Sequence, residues 1–437
     1  MLPSMVTRSV DRILGDRLLR GFGALGLGEL FVRVSRIATT IVLARYLSAT
    51  ELGIAATALA CFELVRVLAN SGISQMVVRA PEDRLAATCN TAYRLAWLLC
   101  GVMAVIQVTA GLAIAHATGR EELLALIVCL AGVYAFMPWG MVQGWLLQRH
   151  YKMSNLSAIN AAQVGTDNLI TAALAVAGLG AWAVVLPKLL TAPIWLVGTR
   201  MSIVWKRDPS AGTIPMSEVL TFAGPILASE LLVAIRLNVD KMIVGAMLGI
   251  EALGIYYFAF SAGYGLSLVL TSALAAASFP HLADHRLAGR ELLARFDKAM
   301  LGLAAPIAGV IVLQAAAVFV YVPLLFGEKW APMTPIVAVL CLSAASKPWA
   351  DLSTQLLRAA GYPGREFASA AVFTIIMLGS FSLGLTQGLF FGVVVLAAVT
   401  IAMQAAMAVW ARCLVARAER AGAGARDARV DLSAVRI

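Results

Sequence analysis

Apolar runs of 18 or more residues recur from one end of the chain to the other. A helix of that length crosses about 30 Å of hydrocarbon, so the sequence reads as a polytopic membrane protein. Charged residues make up only 13% of the 437, where a soluble protein carries about a quarter. An outer-membrane barrel would need short segments of alternating polarity, and these runs are long and continuous instead. The first twenty residues carry Arg8, Arg12, Arg17 and Arg20 but no apolar core before a cleavage site, so no cleavable signal peptide is expected.

Gly, Pro and charge clusters divide the chain into twelve apolar segments, at about 22–46, 51–77, 89–117, 122–147, 156–177, 181–203, 217–246, 251–277, 294–320, 332–357, 366–386 and 388–411. Ahead of them, residues 1–21 place Val6, Val10, Ile13, Leu14 and Leu18 near one helical face and arginines on the other. That pattern predicts an amphipathic helix in the headgroup plane. The N-terminus, alternate loops with the helix ends beside them, and the tail hold 24 of the 34 basic residues, and the opposite connections hold only Arg45, Arg120 and Lys329. The positive-inside rule then puts both termini in the cytoplasm. The net charge of +10 is an orientation signal with an attraction to anionic membrane lipid, and no nucleic-acid partner is expected.

Sliding the chain by 201 positions lays the first hairpin on the seventh and eighth segments. Glu29, Leu30, Val32, Leu47, Leu52, Gly53, Ile54 and Ala58 meet Glu230, Leu231, Val233, Leu248, Leu253, Gly254, Ile255 and Ala259. A repeat of six helices starts and ends on one side, so the halves run parallel with a path expected between them. The expected organisation is a six-helix bundle over 22–203, a cytoplasmic linker over 204–216, a second bundle over 217–411 and a basic cytoplasmic tail over 412–437.

Ionised side chains within apolar spans cost about 3 kcal/mol each, so each should face a polar interior or find a partner. Helical spacing groups them. Glu29, Arg33 and Arg36 form one stripe; Glu63 and Arg66 stand three apart; Asn160, Gln163 and Asp167 make a polar line. Arg236 and Asp240 are placed to pair, with Lys241 turned about 100° away, and Glu230 lies two turns earlier. Lys347, Asp351, Gln355 and Arg358 share a face. Lys188 is readable either as a structural or as a cavity residue. For Glu63 with Arg66, and for Arg236 with Asp240, a buried ion pair fixing helix packing is the competing reading; Arg358 is read as snorkelling to the interface. A hydrated, cationic central cavity is the simplest arrangement for all of them. Arginine forks suit phosphate in particular.

Several functions lack their residues. No GxxxxGK[ST] loop occurs. Six scattered cysteines show no metal or redox spacing. His281 and His285 stand at i, i+4 without a third ligand, so no metal and no cofactor is expected. Connections on the external side are too short for a catalytic domain, which argues against a membrane glycosyltransferase, polymerase or ligase.

NVDKMIVGAMLGIEALGIYYFA resembles the seventh-to-eighth helix signature of the polysaccharide transporter, or Wzx-like, branch of the MOP flippase superfamily. The likeness rests on Asn238, Asp240, Gly245, Leu248, Gly249, Leu253, Gly254 and Tyr256. GLGAWAVV at 178–185, SFPHLA at 278–283 and LLFGEKWAPMTPIVAVLCL at 324–342 resemble further family stretches in the same order. The resemblance implies an all-α integral membrane fold, two six-helix bundles in a V around a central cavity, in the bacterial inner membrane. It implies a monomer that moves an undecaprenyl-diphosphate-linked oligosaccharide outward by alternating access, alongside the polymerase and glycosyltransferases of its pathway.

On that reading Arg33, Arg36, Arg236, Lys241, Arg66 and Lys347 form the cationic lining. Glu29, Glu63, Asp167, Gln163, Glu230, Asp240 and Asp351 form a polar lining or carry a coupling H+ or Na+, and Gln143 offers sugar contacts. The alternatives are a multidrug or cation exporter of the same superfamily and a peptidoglycan lipid II flippase.

Overall fold

The structure, a computed structural model, describes residues 31–70, 72–265, 267 and 290–434. Glu29, the expected helix over 1–21, the SFPHLA stretch and the His281/His285 pair lie outside the described residues. Every regular element among the described residues is helical. Among the described residues eight helices are long and apolar enough to span a membrane, or nine when one bent pair is counted as a span. The chain divides into two compact units, Met1–Met242 and Ile243–Ile437.

In the first unit, α1 covers 31–46 and α2 covers Ala49–Arg66. Ser48 separates them with a capping box: its hydroxyl accepts from the Glu51 amide at 3.2 Å, and the Glu51 carboxylate accepts from the Ser48 amide at 2.8 Å. A short helix α3 (Ile73–Arg79) precedes α4 (Leu85–Thr118). The segment read as one span over 122–147 is two helices, α5 (Glu121–Ala131) and α6 (Met137–Arg149), bent by 53° around Phe136, with Pro138 opening α6. Leu123, Leu126, Ile127 and Leu130 of α5 are fully buried and pack against α2, whose small Ala55, Ala56 and Ala58 allow close approach.

α7 (Met153–Val176) and α8 (Trp182–Ser202) form a tight hairpin. Its turn is the GLGAW stretch, and Gly180 has φ +54. A Cβ there would stand 2.6 Å from the Glu51 carboxylate that completes the capping box. Glycine therefore serves both the left-handed turn and the neighbouring helix start.

The linker after α8 is fixed to α4. The Asn90 amide donates to the carbonyls of Asp208 at 2.6 Å and Gly212 at 3.0 Å, and the Ile214 amide donates to the Thr91 hydroxyl at 2.9 Å. Donors from Ser210, first its hydroxyl and then its backbone amide, hold the Asp208 carboxyl below the usual carboxylate range. Beneath the linker, Ile73, Met76, Leu95 and Val219 line a void of about 10 Å³, at most one water in size.

α9 (Met216–Ala259) holds the seventh segment and the start of the eighth in one run, broken at Gly249 with φ 88 and ψ 174. That conformation is essentially confined to glycine. Gly249 follows Ser48 by 201 positions, the offset of the sequence repeat, so both hairpins break at the same place. Leu52 and Leu253, one repeat apart, are both buried.

The second unit continues with α10 (Arg290–Ala299), α11 (Ala305–Tyr321), α12 (Thr334–Ala344), α13 (Lys347–Ala359), α14 (Pro363–Leu385) and α15 (Leu389–Ala434). Wide π-type turns at Phe260–Tyr264, Met300–Ala304 and Val322–Phe326 interrupt its helices. Trp330 of the GEKWAP stretch is buried and stacks on Phe258 at 3.9 Å.

The segment read as one helix over 332–357 breaks at Ala345–Ser346, and Pro348 starts the second piece, because proline has no amide to continue the ladder. The last helix runs on through 434 where a tail was expected from 412. Its Ala- and Arg-rich sequence favours helix without needing burial.

Large apolar side chains face outward on both units, Leu98, Val105, Leu313, Ile375 and Leu383 among them. Serine and threonine hydroxyls mostly return to carbonyls three or four residues back on their own helices, as at Thr57, Thr88, Thr191 and Ser353. That habit satisfies polar groups where no water reaches.

Candidate functional site

Several of the charges form couples within each unit. On α1, Arg33 is half-buried and Arg36 exposed. The helix is tied to α7 beside them: the Asn168 amide donates to the Ser35 hydroxyl at 2.8 Å, and the Thr39 hydroxyl donates to the Asn168 carbonyl at 3.2 Å. A Cβ on Gly165 would stand 2.5 Å from the Phe31 ring, so a side chain there would have to displace that ring. Among the described residues no ion pair or side-chain hydrogen bond holds the Arg36 guanidinium.

Next to this contact sits Asp167, only 4% exposed. Its Oδ2 accepts from the Lys188 ammonium of α8, while Oδ1 is buried without a hydrogen-bond partner. Lys188 supplies the countercharge for this buried carboxylate across the hairpin. Gln163, one turn before Asp167, is half-buried, and Gln143 on α6 is buried.

Glu63 and Arg66 on α2 do pair, with 3.2 and 2.9 Å from Nε and Nη2 to one carboxylate oxygen. The pair is not buried, however: its side chains are 41% and 49% exposed. Arg66 also lies 5.8 Å from the centre of the Phe62 ring, which stacks on Tyr134 at 5.6 Å. The Tyr134 hydroxyl donates to the fully buried Gln107 at 2.5 Å, and the Gln107 amide donates to the Ile127 carbonyl at 3.0 Å. Gln107 escaped the sequence reading because it stands alone among apolar residues, yet that isolation is the signal: a lone amide in a span must find a partner.

On α9 the expectation for Lys241 is corrected. It is not turned away from its neighbour: its ammonium lies 3.3 Å from the Asp240 carboxylate and also donates to the Leu237 carbonyl, and both charged side chains are buried. A flexible four-carbon stem lets the ammonium curl back where a helical wheel separates the two residues. Arg236 and Glu230 lie half-buried on the same helix.

In the second unit, Lys347 pairs with Asp351 at 2.8 and 3.1 Å on α13. Gln355, one turn on, keeps a buried carbonyl oxygen without a partner. Arg358, read as snorkelling, is exposed and forks onto Glu366 of α14 with two bonds of 2.7 Å. A neutral polar cluster lies at the first π-type turn: Tyr321 donates to the Ala262 carbonyl at 3.0 Å and Gln314 to the Gly263 carbonyl at 3.4 Å, with Ser267 bonded to Gln314 at 3.2 Å. The wide turn frees those carbonyls, and side chains of α11 satisfy them. Among the described residues no three or more His, Cys, Asp or Glu side chains gather as a metal centre.

These groups offer fixed charge and hydrogen-bond donors on apolar helices, chemistry suited to carrying a polar molecule. Known proteins agree in kind. The polysaccharide biosynthesis protein family matches residues 42–335, more than half of the chain. The succinoglycan biosynthesis transport protein ExoT of Rhizobium meliloti is 22% identical over 89% of this chain and 77% of its own. The lipopolysaccharide biosynthesis protein WzxC of Escherichia coli is 22% identical over 69% of this chain and 61% of its own. The teichuronic acid biosynthesis protein TuaB of Bacillus subtilis is 25% identical over 51% of this chain, and the match spans about half its length, 47%.

Among solved structures, the lipid II flippase MurJ in an inward closed conformation superposes with a TM-score of 0.69 at 11% identity, covering 90% of each chain. An inward-facing multidrug resistance MATE family transporter of the MOP superfamily gives 0.67 at 14%, covering 89% of this chain and 95% of its own. At such identities the likeness is one of fold. The chain is thus a multi-pass membrane protein with the MOP-transporter fold, and it belongs to the polysaccharide biosynthesis protein family.

Proposed function

We propose that the chain is a flippase that moves an undecaprenyl-diphosphate-linked oligosaccharide from the cytoplasmic to the outer leaflet of the bacterial inner membrane by alternating access, for O-antigen, capsule or exopolysaccharide assembly. The observation that carries the reading is the family match, joined to basic side chains on apolar helices. Relatives whose names place them in lipopolysaccharide biosynthesis and succinoglycan transport support the substrate class. The reading takes twelve spans in two parallel halves around a central cavity, both termini cytoplasmic, acting as a monomer beside the polymerase and glycosyltransferases of the pathway.

A sugar diphosphate loses its water in hydrocarbon without replacement, so transport requires polar groups along the path. Arg33 and Arg36 would hold the diphosphate from the first half and Arg236 or Lys241 from the second, with Arg66 and Lys347 adding positive potential. Gln143, Gln163 and Asp167 would meet hydroxyls. No side chain performs a reaction. Drive comes either from the membrane potential, about 2.3 kcal/mol per charge per 100 mV for negative charge moving outward, or from H+ or Na+ carried at Asp167, Asp240 or Asp351.

Deleting the gene should make lipid-linked oligosaccharide accumulate in the cytoplasmic leaflet while sensitivity to cationic drugs stays unchanged. The converse pattern would favour a multidrug exporter, and lysis on depletion would favour a lipid II flippase.

A further inference from the structure

On the first unit, four aromatic rings run in a continuous ladder from α6 across α4 to the linker. Trp139 meets Trp97 edge-on at 5.1 Å, Trp97 meets Tyr93 at 6.4 Å, and Tyr93 meets Trp205 at 5.5 Å. Trp97 and Trp139 are exposed, and so are the neighbouring Leu98, Met201 and Val204.

Four exposed cations flank this ladder. Arg94 lies on the α4 face that carries Asn90, Tyr93 and Trp97, the face to which Asn90 pins the linker. Lys206 and Arg207 follow Trp205 directly on that pinned linker. Arg200 follows Thr199, which packs against Gly140 beside Trp139: a Cβ on Gly140 would stand 2.8 Å from the Thr199 hydroxyl.

Among the described residues none of the four cations has an ion pair or a side-chain hydrogen bond. Of the acids on the linker and at the ends of α4 and α9, Glu82 pairs with Arg149 at 2.7 Å and Glu218 with Arg84 at 2.9 Å. The Asp208 carboxylate accepts from Ser210 and keeps its charge, so the four cations leave a net excess of three positive charges over it. Uncompensated positive charge beside exposed indole rings is complementary to one class of molecule, which is acidic at its head and apolar along its body.

We propose that this face of the first unit is a binding site for an anionic glycerophospholipid, its headgroup held by Arg94, Arg200, Lys206 and Arg207 and its acyl chains lying along Trp97 and Trp139. Such a site does not depend on what is transported. It gives the linker a second anchor beside the Asn90 clamp, because two of its cations sit on the linker itself.

The test uses the full chain in nanodiscs of phosphatidylcholine doped with brominated phosphatidylglycerol or, at the same mole fraction, brominated phosphatidylcholine. Bromine quenches nearby indoles, and a protein with Trp97, Trp139 and Trp205 replaced by Phe supplies the background. The site predicts that the acidic lipid quenches those three indoles roughly fivefold more effectively than the neutral one, a factor of the size a single basic residue gives near an anionic surface. The excess should shrink as salt rises, in the wild-type protein, and vanish in R94Q/R200Q/K206Q/R207Q. Equal quenching by the two lipids overturns the proposal, as does a preference that survives the four substitutions or high salt. Displacement of the brominated lipid by a substoichiometric polyprenyl diphosphate would also overturn it, by giving the face to the transported lipid.

Discussion

Single residues carry the pairings, and those separate into two kinds. Asp167 and Lys188 join two helices with one partner 4% exposed, so removing the cation strands a carboxylate out of water. Lys188→Ala should lower stability in detergent by roughly 2 kcal/mol, below the figure for a fully buried pair because the lysine side chain is 35% exposed. D167A/K188A should recover most of the loss, read as thermal unfolding of the two proteins against wild type. Arg36→Ala should leave the unfolding temperature within the range of surface substitutions, about 0.5 kcal/mol either way, because nothing described holds its guanidinium. The sequence made the couples at i, i+3 and i, i+4 legible, Glu63 with Arg66 and Lys347 with Asp351, because helical spacing alone creates them. It did not reveal Asp167 with Lys188, which needs the α7–α8 hairpin folded. Nor did it reveal Lys241 with Asp240, since a helical wheel records where a side chain leaves the backbone and not where a long stem ends.

At the scale of elements, breaks and clamps matter more than helix content. Gly249 sits at φ 88 and ψ 174 with open space around its missing Cβ. Gly249→Ala should therefore cost about 1–3 kcal/mol by backbone strain alone, with no steric clash to relieve. Gly180→Ala differs: its φ of +54 is milder, but the new methyl meets Glu51, so Glu51→Ala should rescue part of its loss in the same unfolding assay. The linker has a pH signature. Because Ser210 holds the folded Asp208 carboxyl below its ordinary value, this contribution is present above the unfolded carboxylate value and is lost as pH falls through the folded one. Trp205 fluorescence should report the linker loosening on acidification, and Asp208→Asn should remove that transition. Long apolar runs and the Gly249 break were readable in advance, because hydropathy and glycine act locally. The 53° bend at Phe136 and the break at Ala345–Ser346 were not. Pro138 and Pro348 stand at the two places, and polarity rises at the second with Ser346 and Lys347, but a proline inside a span is compatible with a continuous helix, so neither signal ended the segments.

For the molecule as a whole, the family and the MOP fold agree with a sequence reading built on apolar runs, basic loops and quoted motifs. Within each unit several of the charges expected to line a cavity are held in couples. Glu63, Asp167, Asp240 and Asp351 each take a cation. Coupling lowers the cost of holding ions in a bilayer, and on the proposed function an arriving diphosphate would compete for the arginines and lysines so held. On the proposed mechanism, Arg36, whose guanidinium no ion pair or side-chain hydrogen bond holds among the described residues, is the readiest of the cationic lining to bind. The most direct measurement is the rate at which purified protein in vesicles flips a labelled polyprenyl-diphosphate oligosaccharide, compared between wild type, R33A/R36A and R33K/R36K. The account predicts a loss of about tenfold or more for the alanine pair, worth ~1.4 kcal/mol, with partial recovery for the lysine pair. Equal rates in all three proteins would contradict it.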